Sequence, residues 1–236
     1  MKSTLLLIVC LVFLIACTKK EDNTPATSQT PLVRTISFDS TVAASYWYDG
    51  QGRLTCSRMF ESPGIDSAVY TYGSNTMVKK LYYDGVLSET EYGLLENGNV
   101  VSLHGNKPDS SSYWSTQYTY DANGFLIREI HMDNDTVETW RAEYVVTDGN
   151  IMSMNRSNYI PVIYTYEYYP GTVNSLGSTT TFLGKTSKNL VKRLTIAYDI
   201  GTITEDYTYE YYNNGWVKKM TQITSGDTLQ VYITYW

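Results

Sequence analysis

Tyr46-Trp47-Tyr48-Asp49-Gly50-Gln51-Gly52-Arg53-Leu54 reads as the end of one β-strand, a tight turn and the start of the next. Successive side chains of a strand point to opposite faces, so Tyr46 and Tyr48 share a face. Asp49 offers a carboxylate oxygen to the turn amides, and Gly52 supplies the positive φ that a short hairpin with a bulge needs. Leu54 restarts the next strand. The pattern returns in Tyr118-Thr119-Tyr120-Asp121-Ala122-Asn123-Gly124-Phe125-Leu126 and in Tyr209-Glu210-Tyr211-Tyr212-Asn213-Asn214-Gly215-Trp216-Val217. Weaker copies surround Gly98 and Gly149. Tyr70-Thr71-Tyr72-Gly73 and Tyr164-Thr165-Tyr166 keep only the tyrosines. Copies fall about every 24 residues, the spacing of a repeat architecture.

A second set of turns lies between these, near Asp39-Ser40, Ser62-Pro63-Gly64, Asp84-Gly85, Asn106-Lys107-Pro108, Asp133-Asn134, Leu176-Gly177, Ile200-Gly201 and Ser225-Gly226. One period then holds two strands and two turns, which gives about 16 to 18 antiparallel strands of common length. No long helical stripe is present, and parallel pairing would need helical crossovers. The expected fold is all-β: an antiparallel meander over residues 32–236, soluble, closed as a barrel or curled as a sheet. Strand parity puts the two sets of turns at opposite ends.

The N-terminus fixes an address. Met1-Lys2-Ser3 is a short basic start, Leu5 to Ile15 is apolar throughout, and Leu14-Ile15-Ala16-Cys17 closes the run. Such a run is a secretory signal, too short to cross a bilayer core of about 30 Å. Leu14-Ile15-Ala16-Cys17 resembles the lipobox of bacterial lipoproteins, which implies cleavage after residue 16 and acylation of Cys17. Residues 1–16 are then the signal peptide. Residues 17–31, rich in Thr, Asn, Pro and Ser, form a flexible tether. Thr18-Lys19-Lys20-Glu21-Asp22 resembles the surface-export signal of Bacteroidota lipoproteins. The expected location is the outer membrane, lipid-anchored and facing the cell surface, with membrane lipid as partner through Cys17. Cys10 leaves with the signal, so Cys56 is the one unmodified thiol of the mature chain and no disulfide framework exists.

Composition narrows the classes. Net charge is -6 with no basic block, which argues against nucleic acid. Tyrosine dominates the aromatics, with 23 residues against 5 Phe and 5 Trp. A ring that is apolar on its face and wet at its hydroxyl suits a strand.

Tyr48-Asp49-Gly50-Gln51-Gly52-Arg53-Leu54 resembles the core of the YD (Rhs-type) repeat, and Tyr120 to Leu126 departs from it at the Arg. Together with the lipobox and the length, these hairpins resemble a Bacteroidota outer-membrane lipoprotein family of unknown function with a porin-like fold. That resemblance covers about residues 30–236 and implies a porin-like β-barrel. The cargo shell of the long YD-repeat proteins does not carry over, because this chain is too short to enclose a folded toxin.

No catalytic constellation stands out, and no cofactor or metal is expected. Glu129 and His131 share a strand face without a visible third ligand. Glu89 and Glu91 share a face, whereas Glu205 and Asp206 oppose one another. Trp47, Trp114, Trp140 and Trp216 are candidate stacking platforms for a glycan or other envelope component. Ser40, Ser67, Thr136 and Thr228, each after an Asp, resemble the sequon of Bacteroidota O-glycosylation, and parity places all four at the end away from the YD-like turns. The expected function is non-catalytic binding or a structural role. A glycan-active hydrolase and an integral outer-membrane barrel are the alternatives, and adjacent charges such as Lys79-Lys80 and Lys218-Lys219 oppose the integral barrel.

Overall fold

The computed structural model describes residues 31–38, 41–61, 64–106, 113–134, 137–157, 160–176 and 179–236. Sixteen strands form one closed barrel. The first four are β1 (Val33–Phe38), β2 (Thr41–Tyr48), β3 (Leu54–Glu61) and β4 (Gly64–Tyr72). Next come β5 (Thr76–Tyr83), β6 (Val86–Glu96), β7 (Asn99–Asn106) and β8 (Tyr113–Tyr120). The third quarter is β9 (Leu126–Asp133), β10 (Val137–Thr147), β11 (Asn150–Ser157) and β12 (Val162–Tyr168). The last is β13 (Val191–Tyr198), β14 (Gly201–Tyr211), β15 (Val217–Thr224) and β16 (Asp227–Tyr235). Each strand pairs antiparallel with its neighbours in sequence. The barrel closes where β1 meets β16, with Ile36 opposite Ile233. The curled-sheet alternative is thereby set aside, and no sheet edge is left unpaired.

The turns explain the meander. Asp49 Oδ1 accepts the amides of Gln51 and Arg53 at 2.9 and 3.0 Å, and Gly52 has φ of 76°. Asp121 repeats this with the amides of Asn123 and Phe125, and Gly124 has φ of 86°. In the third copy Tyr212 stands at the Asp position, and Asn214 Oδ1 accepts the Trp216 amide instead. The Asn97-Gly98 and Asp148-Gly149 turns are a different device. Both residues of each pair have positive φ, the two-residue type I′ hairpin.

These turns lie at one end of the barrel, and the fully described turns of the second set, Asp84-Gly85, Ile200-Gly201 and Ser225-Gly226, lie at the other. Leu176–Gly177 is the exception. Leu176 belongs to a 169–190 segment between β12 and β13, at the YD-turn end, where its side chain packs on the core. In that part of the chain β11 ends at Ser157 and β12 begins at Val162, both at the far end. Apolar residues in the 169–190 segment mimic strand punctuation, but they are spent on plugging the barrel rather than on a hairpin.

One face of each strand points into the barrel. Leu54, Tyr70, Met77, Val100, Leu103, Val217 and Ile233 form the buried core there, together with Phe182 and Leu190 of the 169–190 segment. Extra residues sit at the same place in several odd strands. Thr55, Val101, Ile127, Met152, Lys192 and Lys218 are each skipped by the pairing register one or two residues into the strand. Such bulges raise local twist and help a sheet curl closed.

Candidate functional site

The barrel is a cup. At the YD-turn end the inward side chains are sealed: Leu54 is 1 % exposed, and Val100 and Val217 are 0 %. At the other end the inward side chains Met59 and Tyr83 are 45 % and 51 % exposed, so the lumen opens to solvent there.

The seal is the 169–190 segment, and it is bolted to the wall by backbone amides. Leu54 N–H donates to Thr181 Oγ1 at 3.3 Å, Val100 N–H to the Phe182 carbonyl at 2.9 Å, Ile151 N–H to Ser187 Oγ at 3.0 Å and Val217 N–H to Ser175 Oγ at 2.9 Å. These donors lie on β3, β7, β11 and β15, a quarter-turn of the barrel apart. Lys185 N–H and Lys188 N–H return bonds to the Gly124 and Gly149 carbonyls. A buried amide without a partner costs about 1–3 kcal/mol, so hydroxyls on the plug at these positions hold it in one register. In sequence, Ser175, Thr181 and Ser187 look like ordinary loop residues. Their even spacing of six residues falls in a stretch with no helical or strand pattern against which to read it.

Midway to the mouth, a run of contacts crosses five neighbouring strands, with rings on the middle three. The Trp114 indole on β8 lies flat over Gly105 on β7, where a Cβ would fall 2.2 Å from the ring. His131 on β9 is 5.2 Å from Trp114 and 5.4 Å from Trp140 on β10, stacked on the latter at 9°. The Arg156 guanidinium on β11 lies 4.9 Å over Trp140. Trp114 Nε1 donates to Glu89, and His131 Nδ1 is 2.9 Å from Thr116 Oγ1. Burial pulls the His131 imidazolium below its ordinary pKa, and Asp133 opposes the shift in part.

Of the four candidate tryptophans the barrel brings together two. Trp114 lies between Gly105 and His131, and Trp140 between His131 and Arg156, so the ring faces of both are already in contact. Trp47 is on the outer face with Arg58 5.7 Å above it, and Trp216 is at the plug end, 5.1 Å from Tyr235. Cys56 is a free, half-buried thiol on β3. Ser67 and Thr228 both point outward towards the open end. Ser67 falls within β4 rather than in a turn. Ser40 and Thr136, like Cys17 and the tether, lie outside the described residues.

The wall of the lumen is acidic. Strand parity turns Asp66, Glu89, Glu91, Glu129, Asp133 and Glu205 inward, against Lys79 and Arg156. As read from sequence, Glu89 and Glu91 share a face, Glu129 and His131 share a face, and Glu205 and Asp206 oppose. Lys79 Nζ bonds Glu91 Oε1 at 2.9 Å. Burial pushes the Glu91 carboxyl above the ordinary carboxylate range, and Lys79 offsets part of that. Glu129 is raised for the same reason while accepting from Tyr144. Among the described residues no group of three or more His, Cys, Asp or Glu side chains is placed to hold a metal ion.

A closed sixteen-stranded antiparallel barrel with a plugged end defines the class. No protein-family model matches the sequence, and no curated protein matches it. Solved structures do. A porin-like protein from Bacteroides uniformis ATCC 8492 aligns with a TM-score of 0.73 at 14 % identity, over 89 % of this chain and 99 % of its own. A porin-like protein from Bacteroides vulgatus ATCC 8482 aligns with a TM-score of 0.59 at 9 % identity, over 87 % of this chain and 98 % of its own. Identities this low establish a shared fold: the chain has the porin-like all-β barrel architecture that its hairpins implied.

Proposed function

We propose that the protein is a lipid-anchored outer-membrane lipoprotein whose barrel stands outside the bilayer and holds a ligand in its lumen without transforming it. The observation that carries this reading is the polarity of the outward strand face. Arg193 and Asp206 pair there at 2.7 Å, Glu210 pairs with Lys219, and Arg141 pairs with Glu138. A barrel that crosses lipid needs an apolar outer band, and an Arg or Lys at the bilayer midplane costs about 2–4 kcal/mol. Apolar side chains such as Val69, Leu94, Val145 and Ile163 are exposed on that face as well, but the charged pairs on β10, β13, β14 and β15 leave it without a wholly apolar band. Residue 31, where the described chain begins, is at the plugged end. A Cys17 anchor therefore sets the plug towards the membrane and the open mouth away from it, with Ser67 and Thr228 at the outer rim.

The integral-barrel reading is favoured by the porin-like fold. One experiment separates the two. Cys17→Ala is expressed in the native host and followed by membrane fractionation: the variant is expected in the soluble fraction. Retention in the pellet after a carbonate wash would establish the integral barrel instead. Intact-mass measurement of the unaltered protein from the native host tests the rim, where hexose-type increments above the lipidated polypeptide are expected.

A further inference from the structure

The lumen wall of β3, β4 and β5 encloses a cavity of about 530 Å³, a size that accommodates a small organic molecule. Its floor is Thr180 of the plug together with Tyr70, whose ring lies 5.6 Å from Phe182. Its sides are Ala68 and Leu81, and Met59 and Tyr83 stand exposed at its mouth. One carboxylate lines this space and a second stands on the neighbouring strand, and each has an oxygen with no hydrogen-bond partner. Asp66 lines the cavity, and its Oδ1 is buried without a hydrogen bond. Glu91 is 3 % exposed on the neighbouring strand behind Lys79, and its Oε2 is buried without a hydrogen bond while Oε1 holds the lysine. Lys79 is thus neutralised from behind, and Asp66 is left as an unbalanced anion against rings and methyl groups.

Buried carboxylate oxygens are costly unless a donor reaches them. We propose that this cavity binds an organic cation, an ammonium or guanidinium group on a short apolar or aromatic body, with the cation against Asp66 and the body between Tyr70, Leu81 and Tyr83. The excess of inward acids over Lys79 and Arg156 draws cations towards the mouth and repels anions. The Tyr70 and Tyr83 rings add cation–π attraction. This rests on the ligand-holding lumen proposed above and names the chemistry that the lumen selects.

The test is calorimetric titration of the purified full-length protein with phenethylamine, phenethyl alcohol and phenylpropionate, which share a body and differ in charge. Saturable binding of the amine is expected, with the alcohol weaker by about tenfold and the carboxylate weaker still. Asp66→Asn keeps the side-chain shape and is expected to bring amine affinity down to that of the alcohol, with an unchanged melting midpoint. Equal binding of amine and alcohol, or amine binding indifferent to Asp66→Asn, would overturn the cation assignment. So would binding of none of the three. A neutral sugar from envelope extracts found protecting lumen tyrosines from iodination would, alongside such a failure, leave the ligand-holding barrel standing. Failure of all three to bind together with no protection by any extract would remove both.

Discussion

The Tyr120 hydroxyl donates to the Val100 carbonyl at 2.7 Å, and the amide of the same Val100 donates to Phe182 of the plug at 2.9 Å. One residue thus ties together a wall strand, its neighbour's tyrosine and the plug. The relationship repeats around the barrel. Tyr72 donates to the Leu54 carbonyl, Tyr168 to Ile151 and Tyr235 to Val217, and each of those residues gives its amide to the plug. Tyr72, Tyr120 and Tyr168 are each the second tyrosine of a Tyr-x-Tyr pair, whereas Tyr235 follows Ile233, and each fastens the start of the preceding odd strand. Its burial lifts the phenol above its ordinary pKa, as at Tyr72, Tyr120 and Tyr235.

The plug bonds should be measurable one at a time. Ser175→Ala removes the acceptor of the Val217 amide in a site that is 0 % exposed. A loss of about 1–3 kcal/mol is expected in urea unfolding, the cost of an orphaned buried donor. Thr181→Ala, whose bond to Leu54 is longer at 3.3 Å, should cost less. Equal and negligible losses in both variants would show that the plug is held by its apolar residues alone.

The turn glycines give a second test. Gly52 and Gly124 have φ of 76° and 86°, so Gly52→Val and Gly124→Val force a β-branched residue into the left-handed region. A cost of about 1–3 kcal/mol is expected for each. Gly50 lies in the same turn without positive φ and with open space around it, so Gly50→Ala should leave the melting midpoint in place. The contrast between Gly50 and Gly52 is the measurement that decides.

These glycines also mark what the sequence makes legible. Asp49, Gly52, Asp121 and Gly124 act locally, over four or five residues, and their geometry is readable from spacing alone. Alternation does the rest for the sheet: inward Glu89, Glu91, Glu129 and Glu205 follow once the turns are set. The plug is not legible, because Ser175, Thr181 and Ser187 bond to residues 36 to 127 positions away. The Gly105–Trp114–His131–Trp140–Arg156 contacts are hidden for the same reason. Each pair meets across strands, and only the register decides who meets whom. Even the reading of Leu176 as strand punctuation fails on this point, since its apolar side chain serves a distant wall.

Stability should depend on pH through His131. Its folded pKa is lowered by burial between rings, so the unfolded chain takes up the proton first as pH falls below about 6.5. The contribution of the neutral ring is complete above that value and is lost as pH falls towards the lowered folded pKa. The raised carboxyls of Glu91 and Glu129 act in the opposite sense, because their folded forms hold protons more tightly. His131→Phe retains a flat ring between Trp114 and Trp140 and should flatten the wild-type slope below neutral pH. Unfolding midpoints of both proteins between pH about 5 and 7.5 supply the comparison, and parallel curves would assign the slope to other groups.

Gly105 decides whether the ring belt can form. A Cβ at this position would stand 2.2 Å from Trp114 Cε2 and 2.5 Å from its Nε1, contacts that no small shift relieves. In Gly105→Ala the indole must swing off β7, which breaks its bond to Glu89 and parts it from His131. Overpacking of this kind costs about 1–3 kcal/mol. A simple loss of stability would not distinguish this clash from alanine's effect on the strand. A double-mutant cycle does so, because neighbours that share one contact are non-additive. With Trp114→Ala in place the clash has no partner, and adding Gly105→Ala should cost little or slightly stabilise, since alanine orders a strand better than glycine. Near-UV circular dichroism of Gly105→Ala alone should show the loss of the tryptophan signal from the stack. If the two substitutions prove additive and that signal is unchanged, Trp114 does not rest on Gly105, and the order of contacts from Gly105 to Arg156 fails at its first member.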